Sequence, residues 1–83
     1  MTTLERLEAT IAARKGADPD SSWTAKLLSK GAQKCAQKFG EEAIEVVIAS
    51  VESNGAREHV VAESADLIFH LLVLLKSRGI ALS

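Results

Sequence analysis

Apolar residues recur along most of this chain at intervals of three and four, the repeat of an α-helix that buries one face. Leu4, Leu7 and Ile11, with Ala12 beside them, predict a first helix over residues 3–15. Thr2 with Glu5 three later has the form of a capping box, and Gly16 suits a C-terminal stop. Asp18-Pro19 and the polar residues around it break the periodicity, so 17–22 reads as a loop. Ser22 as N-cap opens a short second helix, 23–30, on which Trp23 and Leu27 share a face. Gly31 ends that helix or bends it into a third, 32–53, with apolar positions at Cys35, Ala36, Phe39, Ala43, Ile44, Val46, Val47, Ile48 and Val51. Gly40 inside it costs about 1 kcal/mol relative to Ala, and is expected to let a ligand or another helix come close. Asn54-Gly55 marks a turn, and a fourth helix follows over 56–78 with Gly79 as its stop. No segment alternates with period two, so the expected fold is all-α, in one domain spanning 1–83.

The fourth helix changes this picture. From 67 to 75, eight of nine residues are apolar, His70 being the exception. A helix that is apolar all round needs cover on all sides. The three other helices of an 83-residue chain, one of them very short, are too few to supply it. The third and fourth helices are therefore expected to form a hairpin whose four-helix core is completed by a second copy, most simply in a two-fold homodimer.

Composition narrows the function classes. Ten basic and 11 acidic residues leave a net charge of −1, which offers no basic stripe for nucleic acid. No apolar run is long enough to span a bilayer, and the first residues lack the basic-then-apolar layout of a signal peptide. Cys35 is the only cysteine, so no disulfide forms within the chain, and it reads as a small buried apolar residue. A cytoplasmic protein is expected. So small a chain often relies on a metal or a partner.

The candidate chemistry lies in two acidic clusters inside otherwise apolar helices: Glu41, Glu42 and Glu45, then Glu63 and Asp66. Spacings of three and four place the acids of each cluster on neighbouring faces, where like charges repel. Seventeen residues separate Glu45 from Glu63, enough to finish one helix, turn at Asn54-Gly55 and return antiparallel. Measured along the helices, the clusters fall within about one turn of each other in height. Burying several carboxylates without partners costs several kcal/mol, and a divalent cation that takes oxygen ligands resolves that cost; Mg²⁺ is the natural candidate. The alternative is a pair of solvated acidic faces. Around the acids, Lys38 lies four residues before Glu42, within reach of a phosphate or of an ion pair with Glu42, and Lys34 lies one turn further back. His70, four after Asp66, reads as a core residue or a partner of Asp66 rather than a ligand. Trp23 reads as a core anchor ahead of a stacking platform for a base.

The spacing Glu41-Glu42-x-x-Glu45, then Glu63-x-x-Asp66, resembles the all-α nucleoside triphosphate pyrophosphatases of the MazG-like superfamily. A longer pattern runs through Ser22-Trp23-Thr24-Ala25-Lys26-Leu27-Leu28, Gly31, Gln37-Lys38-Phe39-Gly40 before the first acids, and Leu67-x-x-His70-Leu71-Leu72-Val73-Leu74-Leu75 after the last. It resembles the phosphoribosyl-ATP pyrophosphohydrolase family over nearly the whole chain. Members of that family continue with a further short helix past the Arg-Gly that Arg78-Gly79 matches; this sequence ends at Ser83.

The resemblance implies hydrolysis of phosphoribosyl-ATP to phosphoribosyl-AMP and pyrophosphate, the second step of histidine biosynthesis, with Mg²⁺ as cofactor and Mn²⁺ as a substitute. It implies Glu42, Glu45, Glu63 and Asp66 as metal ligands, and Glu41 and Glu42 as catalytic residues, Glu41 holding a second metal or orienting the attacking water. Lys38 and Lys34 are then phosphate contacts, Lys38 with a part in catalysis. Two rivals remain open at this point: a house-cleaning pyrophosphatase for non-standard nucleoside triphosphates, and a helical interaction module without catalysis. The acid spacing does not separate the two enzymes; the His70 segment and Lys38-Phe39-Gly40 favour phosphoribosyl-ATP.

Overall fold

The computed structural model describes residues 2–52 and 57–82. Its helices are α1 (Thr3–Arg14), α2 (Trp23–Ser29), α3 (Ala32–Val51) and α4 (Arg57–Ser77), with one turn of 3-10 helix at Pro19–Ser21. There is no strand among the described residues. The expected turn at Asn54-Gly55 and the expected first residue of the fourth helix, Ala56, lie outside them.

Local chemistry sets the helix ends. The Thr2 hydroxyl accepts from the Glu5 N–H and the Glu5 carboxylate accepts from the Thr2 N–H, both at 3.1 Å, which completes the capping box of α1. Those contacts with Thr2 hold the Glu5 carboxyl below its ordinary range. The polar loop is more ordered than its composition implied. Asp18 accepts from the Asp20 N–H at 3.0 Å and opens the 3-10 turn, with Pro19 in the first position, where no N–H is needed. Ser22 caps α2 by accepting from the Ala25 N–H at 3.0 Å. Gly31, at φ 89°, separates α2 from α3, a conformation that costs a residue with a Cβ more than it costs glycine. At the far end the Gly79 N–H reaches the Lys76 carbonyl at 3.0 Å and the Ile80 N–H reaches Leu75 at 2.9 Å. These two bonds make a Schellman stop, closing α4 just where the glycine was expected to.

The α3–α4 hairpin is the scaffold, and α1 packs on α2 and α4 but not on α3. The core therefore sits at one end of the hairpin. Ile11, Leu27, Cys35, Leu72 and Val73 are buried together, with Leu7, Leu28, Phe69 and Leu74 packed against them. Cys35 lies inside this core and donates its thiol hydrogen to the Leu27 carbonyl at 3.3 Å. Burial pushes the thiol pKa up, which removes it as a nucleophile. A disulfide-exchange reagent is expected to label Cys35 about a hundredfold more slowly in the native chain than in urea, because access requires opening the core; equal rates would show the core to be loose.

Two expectations change here. Trp23 is not a core anchor: at the first position of α2 it is 51% exposed, because the cover that buries Leu27 does not extend one turn back along the same face. Gly40 brings no other helix close: a Cβ added there meets nothing within 4 Å. Beyond the core, the outer faces of α3 and α4 carry Ile44, Val47, Ile48, Val51, Val61 and Ile68, all exposed, Val51 by as much as 76%.

Candidate metal centre

The antiparallel return of α4 along α3 sets Glu42 opposite Glu63 and Asp66. One carboxylate oxygen from each lies within 4.8 Å of the other two. Glu42 and Glu63 are half-buried and Asp66 is exposed, so the trio has a sheltered side and an open side. Three like charges at this separation repel by about 1 kcal/mol per pair in water and by more where solvent is excluded. Among the described residues, the carboxylates of Glu42 and Asp66 have no hydrogen-bond or ion-pair partner. The donor set is hard oxygen only, which fits Mg²⁺ or Mn²⁺ and lacks the nitrogen or sulfur donors typical of zinc sites.

The other expected site residues are arranged differently. Glu45 is not brought into the trio. It is exposed and lies three residues further along α3 than Glu42. Glu41 is exposed and engaged on its own helix: the Gln37 amide donates to it at 3.2 Å and the Lys38 ammonium lies 3.3 Å away. The Gln37 and Lys38 contacts hold the Glu41 carboxyl below the usual carboxylate range. Lys38 thus pairs with Glu41, not with Glu42, because the ammonium takes the i+3 carboxylate on the exposed side. Lys34 donates to the Gln37 side chain at 3.5 Å, so Lys34, Gln37, Lys38 and Glu41 make one polar ladder along α3.

His70 is buried, and its Nδ1 meets the main-chain carbonyl of Asp66 at 2.8 Å, not the carboxylate. A carbonyl only accepts, so Nδ1 carries the hydrogen in this contact; Nε2 is buried without a partner among the described residues. His70 therefore stiffens α4 behind the acids and does not touch them. Two contacts were missed in reading the sequence. Gln37 holds Glu41 at i,i+4, a spacing visible in the chain. His59 Nε2 lies 3.5 Å from Glu63 Oε1, also at i,i+4.

The family model described as phosphoribosyl-ATP pyrophosphohydrolase matches residues 4–83. The chain belongs to the phosphoribosyl-ATP pyrophosphohydrolase family. Among similar proteins, the phosphoribosyl-ATP pyrophosphatase of Dinoroseobacter shibae is 63% identical over 83 residues, covering 100% of this chain and 79% of that protein. Those of Cereibacter sphaeroides and Ruegeria pomeroyi are 60% and 61% identical, covering 100% and 99% of this chain and 79% and 76% of theirs. The match to phosphoribosyl-ATP pyrophosphohydrolases thus runs through both acidic clusters, and the all-helical hairpin agrees with the fold that the resemblance implied.

Proposed function

We propose that this chain hydrolyses phosphoribosyl-ATP to phosphoribosyl-AMP and pyrophosphate, in histidine biosynthesis, at the acidic trio between α3 and α4. Family membership over residues 4–83 supports the reaction. The observation that carries the site is the convergence of Glu42, Glu63 and Asp66 within 4.8 Å. In this reading the three carboxylates hold Mg²⁺, or Mn²⁺ in its place. Bound there, the ion would neutralise charge on the phosphoryl oxygens and lower the pKa of a bound water.

The chain's own residues have separable parts. Glu42 and Glu63 stand on the half-buried side of the trio, and Asp66 leaves the open side for the polyphosphate. Lys38 and Lys34 place two positive charges on the turns of α3 before Glu42, where the phosphates approach. Glu41, held by Gln37 and Lys38 outside the trio, is the candidate to orient the attacking water or to hold a second ion. Glu45 joins the ligand set only if its side chain rotates toward Glu42.

The exposed apolar faces of α3 and α4 support the second part of the reading. A strip of Ile44, Val47, Ile48, Val51, Val61 and Ile68 is what a four-helix core between two copies requires. No described helix is long and apolar enough to cross a membrane, and a cytoplasmic homodimer is the form proposed. Sedimentation should give about twice the 8.8 kDa chain mass; a monomer at micromolar concentration would contradict it.

A substrate panel tests the reaction. Phosphoribosyl-ATP with Mg²⁺ should yield pyrophosphate, and chelation should stop it. Release of orthophosphate, or faster turnover of non-standard nucleoside triphosphates, would move the assignment elsewhere in the superfamily.

A further inference from the structure

The two acids of α4 are bracketed by two histidines, His59 four residues before Glu63 and His70 four residues after Asp66. Their contacts differ in kind. His70 is buried and takes a main-chain carbonyl. His59 is half-exposed, and its Nε2 lies 3.5 Å from Oε1 of Glu63, whose side chain is 21% exposed. The ring stands against one oxygen of that carboxylate, one turn of α4 before Glu63, and takes up room into which the carboxylate could otherwise swing away from Glu42 and Asp66.

We propose that His59 is a positioning residue that orients the Glu63 carboxylate for cation binding at the trio. The proposal rests on the metal reading above. Such outer contacts to a ligating group typically change metal affinity 10–100-fold. The chain also shows what can replace the ring: Gln37 donates its amide to Glu41 at 3.2 Å across the same i,i+4 spacing. A glutamine at position 59 therefore reaches Glu63, and an alanine does not.

The test is Mn²⁺ binding to the full chain without substrate, by titration calorimetry and by the electron paramagnetic resonance signal of the free ion, at one fixed pH. His59→Ala is expected to weaken Mn²⁺ affinity about tenfold, with metal-free thermal unfolding unchanged. His59→Gln should recover most of that loss. Equal affinity in wild type and His59→Ala would overturn the proposal. So would tighter binding in His59→Ala, which would mean that the ring competes with the cation. Wild-type protein that binds no Mn²⁺ would remove the metal reading itself, and the role of His59 with it.

Discussion

Glu42→Gln is expected to lower pyrophosphate release from phosphoribosyl-ATP by roughly 10²–10³-fold or more, the scale on which preorganised charged groups act on a transition state. The amide keeps the shape of the side chain and removes its charge. It leaves Glu63 and Asp66 as the two remaining carboxyl groups of a trio whose oxygens lie within 4.8 Å. Folding should not suffer, because Glu42 has no hydrogen-bond or ion-pair partner among the described residues and removing its charge relieves repulsion. Without metal the variant should melt at or above the wild-type temperature. Adding Mg²⁺ should raise the wild-type melting temperature, since a ligand that binds only the native state stabilises it, and should raise the variant's much less. Steady-state pyrophosphate release and thermal unfolding with and without Mg²⁺ measure both effects. Wild-type turnover in the variant would take Glu42 out of the ligand set.

The second large effect concerns the core. Leu27→Ala should destabilise the chain by about 2–5 kcal/mol, the range for truncating a buried leucine. Leu27 is 1% exposed and packs among Ile11, Cys35, Leu72 and Val73, which come from the other three helices. A cavity there loosens α1, α2 and the hairpin together. Domains are stable by only about 5–15 kcal/mol, so a large part of the total would be lost. Urea unfolding followed by circular dichroism gives the value. A change below about 1 kcal/mol would show that the core collapses around the gap.

The parts of this molecule legible in the chain are those that one helical turn decides. Thr2 and Glu5 form their capping box, Ser22 caps α2, and Gly79 closes α4, because each contact joins residues within a few positions of one another. Trp23 misled for a reason of the same kind: sharing a face with Leu27 says nothing of how far along the helix the cover extends. Glu45 shows the limit of spacing rules at the site. Three residues after Glu42, it satisfies the same helical pattern, yet only the register between α3 and α4 decides which acids of one helix meet those of the other. Lys38 could pair at i+3 or i+4, and rotamer and exposure chose Glu41. His59 went unnoticed because a half-exposed histidine on a polar turn carries no periodic signal.

By itself, then, the order of residues determined an all-α chain, the stops of its helices, two acidic clusters at helical spacing and the family that shares them. Only the tertiary structure decided that Glu42, Glu63 and Asp66 converge, that His70 turns to the backbone, and that the outer side of α3 is left without a described helix to cover it. Caps and periodicity are settled by neighbours along the chain. The height at which two helices pass is settled by side chains such as Cys35 on α3 and Leu72 and Val73 on α4, far apart in sequence, that interlock only once the hairpin has closed.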